Sequence, residues 1–354
     1  MAATGRLEDR EWLKRADPSD MLGLVEALPQ QCREAERIAR SMPWPRWSDI
    51  RQVVVVGMGG SAISAEFLRS VASEQGNVPI IVCRNDKLPA WVDKHSLVVA
   101  VSYSGNTEET LAAYAAAKQG RARIAVITTG GELATRAVED GYPVVRIPSG
   151  LPPRAAIGYT FVPLLVMGEQ LGFLPDQAES LAEATELLEG QRAVYGRMSP
   201  ASQNPAKSLA AKLVDQVPLV LGTEGRGNVA AYRWKCQCNE NSKAAAFWNS
   251  FPELTHNEVV GWQQPEDVLR RLHVVLLRDT GDGERNNRRI DITKQIMGQK
   301  AEGITEFWAQ GDSPVARLLS LVYPGDFVAT YLALLYETDP TPITAIDKLK
   351  QAIK

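Results

Sequence analysis

The sequence predicts an α/β protein of two doubly wound parallel-sheet domains flanked by helices, with a further helix at the C-terminal end. Three observations predict it. Short runs rich in β-branched residues recur at 52–56, 79–83, 97–101, 123–127 and 143–147, each separated by a helix-length segment. The rhythm restarts at 217–221 and continues at 272–277 and 303–309. The halves also echo each other: Val53-Val54-Val55-Val56-Gly57-Met58-Gly59-Gly60 has a counterpart in Leu219-Val220-Leu221-Gly222-Thr223-Glu224-Gly225. In the same way 98–101 running into Ser102-Tyr103-Ser104-Gly105 is matched by 274–277 running into Arg278-Asp279-Thr280-Gly281.

In chain order, residues 1–48 are a charged helical segment ending at the Pro43-Trp44-Pro45 corner. Residues 49–175 make the first α/β domain. Residues 176–205, rich in Ala, Leu, Glu and Gln before a Ser, Pro and Asn stretch, form a helical linker; 206–330 make the second α/β domain and 331–354 a helical tail. A chain of 354 residues has room for two such cores.

Hydrophobic residues at 45% and charged residues at 23% give the balance of a folding globular chain. A net charge of −3 without a basic block offers nothing to nucleic acid or an anionic membrane. The N-terminus lacks the apolar core of a signal peptide, and no later stretch is expected to reach the roughly 18 apolar residues of a span, which leads to a cytoplasmic expectation. Cys32, Cys83, Cys236 and Cys238 are too few and scattered for a disulfide framework. His95, His256 and His273 show no zinc-site spacing, so neither metal nor cofactor is expected.

Two motifs suit an anion. Gly57-Met58-Gly59-Gly60-Ser61-Ala62 follows the first strand, where glycines let the backbone turn its amides toward a ligand at a helix start. The spacing also fits a dinucleotide fold and does not decide alone. Ser102-Tyr103-Ser104-Gly105-Asn106-Thr107 follows the third strand and opens another helix; a capping role explains one of the Ser102, Ser104 and Thr107 hydroxyls, not three. Hydroxyls and amides at the carboxyl ends of a parallel sheet suit a phosphate monoester.

These turns, together with Pro153-Arg154-Ala155-Ala156, resemble the sugar isomerase domain, and specifically the bifunctional phosphoglucose/phosphomannose isomerases. The likeness covers most of the chain and includes Asn239-Glu240-Asn241-Ser242-Lys243, Thr255-His256-Asn257-Glu258 and Ile346-Asp347-Lys348-Leu349-Lys350. The resemblance implies two sugar isomerase domains and a metal-free interconversion of glucose 6-phosphate and mannose 6-phosphate with fructose 6-phosphate through an enediol. It also implies that Gly60, Ser61, Ser102, Ser104 and Thr107 hold the phosphate, and that the enzyme is a homodimer.

Aldose-ketose isomerisation needs a base between C1 and C2, a donor to open the ring and a cation near the enediolate. Over 226–243 the pattern is helical, and Val229, Tyr232, Cys236 and Glu240 share a face, which sets Glu240 among apolar residues near a helix C-terminus. Desolvation and dipole both favour its protonated form there. The resemblance makes Glu240 the base; a buried Glu paired to Lys235 or Arg233 stays open. His256, in a loop, is by default a surface or capping residue. The resemblance has it open the sugar ring, reaching the other subunit's site.

Arg154 follows Pro152-Pro153 and precedes Ala155-Ala156, a helix start where a cation opposes the dipole. The resemblance gives it the developing negative charge; a surface salt bridge is the plain alternative. In the last helix the stripe Ile343, Ile346, Leu349 and Ile353 is flanked by Lys350 and not by Lys348. The resemblance implies that Lys350 assists ring opening, with a solvated helix-end lysine as the alternative; a contact from Thr341 stays open. Cys236 and Cys238 point apart on a helix, Cys236 inward, and neither is a redox or metal pair.

Two other functions compete. A nicotinamide-dependent oxidoreductase would need an acidic residue closing the second strand, where Cys83-Arg84-Asn85 stands instead. A non-catalytic sugar-phosphate regulator would keep the hydroxyls and could lose the base; Glu240, His256, Arg154 and Lys350 together argue against it.

Overall fold

The computed structural model describes residues 5–353. The charged N-terminal stretch includes the helices α1 (Arg10–Ala16), α2 (Met21–Glu26) and α3 (Leu28–Arg40). Asp9 caps α1 by accepting from the Glu11 and Trp12 amides, and buried Asp17 starts α2 by accepting from the Met21 and Leu22 amides. The chain divides into two units, one holding residues 27–186 with 312–316, the other holding the chain up to Glu26, residues 187–311, and the chain from Arg317 on.

In the first unit β1 (Gln52–Val56), α4 (Gly60–Gln75), β2 (Ile80–Cys83), β3 (Ser96–Val101), α5 (Glu108–Gln119), β4 (Arg123–Thr128), α6 (Gly131–Glu139) and β5 (Val144–Arg146) succeed one another. The strands pair in parallel in the order β2-β1-β3-β4-β5. Parallel strands covered on both faces read as continuous apolar runs, which is why the sequence marks them so plainly. Val54, Val56, Val98, Ala100, Ile124 and Val126 pack with Tyr114 of α5 and Leu133 of α6 on one face. A helix α7 (Ile157–Gln170) packs on α3 and α4. Phe67 meets Phe161 edge-on at 5.3 Å, and at Gly158 an added Cβ would come within 2.7 Å of Gln31, so α3 approaches there because glycine stands there.

Helix α8 (Ala178–Tyr195) crosses from the first unit into the second, which continues as α9 (Pro205–Leu213), β6 (Val217–Thr223), α10 (Arg226–Glu240), β7 (Phe247–Phe251), α11 (Glu266–Leu269), β8 (Leu272–Arg278), α12 (Glu284–Met297), β9 (Gly303–Trp308), α13 (Pro314–Leu335) and α14 (Thr344–Ile353). All four strands are parallel, in the order β7-β6-β8-β9. The order repeats the first four strands of the other sheet, with β6 and β8 standing where β1 and β3 stand, so the echo in the sequence is a repeated topology. Strand β7 is not predicted. Phe247-Trp248-Asn249-Ser250-Phe251 has no β-branched residue, and as an edge strand it leaves Phe247 and Trp248 exposed.

Helix α13 corrects the expectation that no apolar stretch is long enough to span: its 22 residues are, by length and composition. The apolar window is 94% buried, and buried Asp326 receives two bonds from Arg233 of α10 (3.0 and 2.6 Å), while the Trp234 indole donates to the Leu321 carbonyl at 2.7 Å. It is a core helix carrying a buried ion pair. The apolar stripe of helix α14 lies on solvent, with Leu349 60% and Ile353 72% exposed.

Candidate active site

The first hydroxyl loop emerges from β3 and the glycine turn from the neighbouring β1, so both open at the carboxyl end of one sheet. Gly57 sits so close to β3 that a Cβ would meet the Val101 carbonyl at 2.9 Å. Gly59, with φ +54°, is the N-cap of α4 and supplies no side-chain cap, and Thr107, N-cap of α5, makes no side-chain cap bond either. Two helix starts, with their partial positive charge, thus open beside each other without the oxygen that would ordinarily quench them.

The Thr107 hydroxyl is turned to Ser102 instead, at 2.9 Å between the two oxygens, and the Gly105 amide donates to the Ser102 Oγ at 3.1 Å. Ser104 is exposed and receives the Asn106 amide at 3.3 Å. The rest of the motif builds the loop. Gly105 has φ +70° and a Cβ there would fall 1.9 Å from the Gly130 carbonyl, so no other residue fits. Asn106 accepts from the Glu132 amide at 2.9 Å at the start of α6.

Arg154 lies beside this loop system. A Cβ built on Gly60 would meet the Pro153 carbonyl at 3.1 Å and the Arg154 Cα at 3.5 Å, so the start of α4 rests against the turn that carries the arginine. That turn is a 3-10 helix, Pro153–Ala155, and α7 begins only at Ile157, later than the sequence suggests. Arg154 is 3% exposed, which removes the surface salt bridge as its explanation. Two residues that the sequence does not flag hold the turn. Buried Gln31 of α3 donates to the Ala155 carbonyl at 2.8 Å. The Tyr103 hydroxyl donates to the Pro148 carbonyl at 3.0 Å and accepts from the Leu151 amide at 2.9 Å, tying the hydroxyl loop to the segment that leads to Arg154.

Glu240, His256 and Lys350 belong to the other unit. Glu240 is the last residue of α10, as expected, but its row is half-buried: the core face of that helix carries Ala230, Trp234, Gln237 and Cys238, while Tyr232, Cys236 and Glu240 lie on its flank. The inward cysteine is accordingly Cys238, whose thiol burial pushes up to about 12, and not Cys236. The alternative partners are placed elsewhere: Arg233 on Asp326, and the Lys235 ammonium over the Trp248 ring at 5.7 Å. Lys243, with φ +55°, folds back so that its ammonium donates to the carbonyls of Glu240 (2.7 Å), Asn241 (3.2 Å) and Pro340 (3.0 Å). It neutralises the negative end of α10 at Glu240 and ties it to the segment before α14. His256 ends the 3-10 turn Glu253–His256 and is exposed, and Lys350 lies on exposed α14. Among the described residues no group of three or more His, Cys, Asp or Glu side chains is placed to share a metal ion.

Comparison with known proteins agrees with this architecture. Residues 48–162 match the SIS domain and residues 202–353 the bacterial phospho-glucose isomerase C-terminal SIS domain. A bifunctional phosphoglucose/phosphomannose isomerase of Caldicellulosiruptor bescii is 44% identical over 334 residues, 94% of this chain and 98% of that protein. This chain belongs to the bifunctional phosphoglucose/phosphomannose isomerase family. A second family member, from Aquifex aeolicus, is 35% identical and covers 87% of this chain and 94% of its own length. The solved structure of a glucose-6-phosphate isomerase like protein from Thermus thermophilus has the same fold, with a TM-score of 0.63 at 21% identity, covering 95% of this chain and 97% of that one. Arg84, which follows the second strand, pairs with Glu66 of α4 at 2.9 Å.

Proposed function

We propose that the protein interconverts glucose 6-phosphate and mannose 6-phosphate with fructose 6-phosphate through an enediol, without metal or cofactor. The observation that carries the reading is the cradle of the first unit: two helix starts lacking a side-chain cap, the Ser102, Ser104 and Thr107 hydroxyls, and buried Arg154 beside them. Hydroxyls and amides without a lysine suit the phosphate of a substrate that keeps it, where a phosphoryl-transfer site would need to activate it. In this reading Gly60, Ser61, Ser102, Ser104 and Thr107 bind the phosphate. Arg154 faces the charge that develops on the enediolate.

Glu240 moves the proton between C1 and C2. Its place on the half-buried flank at the end of α10 suits a carboxylate that takes the proton from one carbon and returns it to the other. His256 and Lys350 open the sugar ring, with His256 of the partner subunit completing the site in a homodimer; their exposure leaves both free to meet substrate. The enzyme would work in the cytoplasm. Chelator-treated protein incubated with fructose 6-phosphate is expected to yield both glucose 6-phosphate and mannose 6-phosphate. Glucose 6-phosphate alone would narrow the substrate. Folded protein that binds fructose 6-phosphate and yields neither product would make it a sugar-phosphate regulator instead.

A further inference from the structure

The second sheet repeats the machinery of the first, yet fills it differently. Gly225 is the N-cap of α10 with φ +95° and ψ −127°, against +54° and −125° for Gly59 at the N-cap of α4, and neither helix start has a side-chain cap. Beside it, the loop that follows β8 occupies the place of the hydroxyl loop that follows β3. At this point the first sheet has hydroxyls, and the second has charges. Asp279, 1% exposed, accepts from the Gly281 amide at 2.7 Å. Its carboxylate also receives Arg226 Nε at 3.1 Å and Nη2 at 3.0 Å, and Arg317 Nε at 3.2 Å, with Arg317 Nη2 on the second oxygen. Arg317 reaches the Thr280 hydroxyl at 3.0 Å as well, and Asp282 accepts from Thr223 at 2.7 Å.

Two guanidiniums and a backbone amide converging on one pair of oxygens are the surroundings of a bound oxyanion. We infer that the carboxyl end of the second sheet is an anion site occupied by the chain's own Asp279, which closes it to phosphate. Its ligand class, once the carboxylate is removed, is inorganic phosphate or a phosphate monoester. Asp279 also settles two arginines that would otherwise repel each other in a mostly buried place, Arg226 with its side chain 10% and Arg317 19% exposed. The comparison with the first loop rests on the phosphate reading above, whereas the inference about the second concerns anion binding alone. A phosphate count therefore tests it whether or not the protein is an isomerase.

The test uses the full chain and inorganic phosphate as probe. Equilibrium dialysis of the wild type, Asp279→Gly and Asp279→Gly/Arg317→Met counts phosphate bound per chain. Asp279→Gly is expected to bind one phosphate more than the wild type, and the double variant is expected to lose it. Asp279→Ala, which clears the same space without the added backbone freedom of glycine, covers the case in which glycine does not fold. It should melt below the wild type in chloride and gain more from phosphate at equal ionic strength than the wild type does. A folded Asp279→Gly with an unchanged count, a wild type that loses a phosphate on Arg317→Met alone, or an alanine variant that phosphate does not restore would each overturn the inference.

Discussion

Glu240 shows how little room separates a structural from a chemical carboxylate. Its neighbours on the flank of α10, Tyr232 and Cys236, are half-buried; Arg233 and Lys235 are engaged with Asp326 and Trp248, and the Lys243 ammonium with backbone carbonyls. Glu240→Gln keeps the shape and removes only the basicity, so kcat is expected to fall by about 10²- to 10⁴-fold, with KM little changed and circular dichroism superimposable. A variant retaining kcat would remove Glu240 as the base. His273 is the residue-scale case in stability. It is 3% exposed, with Nε2 at 2.9 Å from the Thr305 hydroxyl, and burial, aided by the charge of Lys212, lowers its pKa from 6.5 to about 4. Between those values the unfolded chain binds the proton and the folded chain does not, so the contribution is complete above about pH 6.5 and lost as pH falls toward 4. It amounts to about 3 kcal/mol, and denaturant titrations at pH 7 and pH 4.5 should show a smaller difference for His273→Gln than for the wild type.

At the scale of elements, the helices divide into those that hold the fold and one that does not. Helix α13 is core, fastened to α10 by a buried ion pair and the Trp234 indole. Every residue of α14 is exposed, and the Lys243 ammonium holds the tail before it, at the Pro340 carbonyl. Ending the chain after Ile343 should therefore leave the melting temperature of the rest near that of the intact chain while abolishing isomerisation through loss of Lys350. A truncated chain with full activity would show that Lys350 has no part in ring opening. The short edge strand β7 and the turn carrying Arg154 were the elements least legible in the sequence. The first lacks β-branched residues, and the second is held by Gln31, far away in the chain, so no local pattern could announce either.

At the scale of the whole molecule, the homodimer proposal separates His256 from Glu240 of the same chain. Mixing inactive His256→Ala with inactive Glu240→Gln, after dissociation and reassociation, should restore about a quarter of wild-type activity, because half the dimers are mixed and each mixed dimer regains one intact site. No recovery from variants shown to exchange subunits would place both residues on one chain's site. The repeat of strand order, β2-β1-β3-β4 and β7-β6-β8-β9, gives the molecule two similar sheet ends with different contents: hydroxyls at one, an arginine-bound aspartate at the other.

The sequence by itself determined the α/β class, eight of the nine strands among the described residues, and the motifs of the glycine turn and the hydroxyl loop, because parallel strands buried on both faces and glycine turns before helices leave local signatures. Only the tertiary structure decided which face of α10 carries Glu240, that the stripe of α14 faces solvent, that Arg154 is buried, and that Asp279 is enclosed by Arg226 and Arg317. The physical reason is the range of the interactions. Strand and helix periods are set by neighbours along the chain, whereas burial and ion pairing are set by partners that only folding brings near.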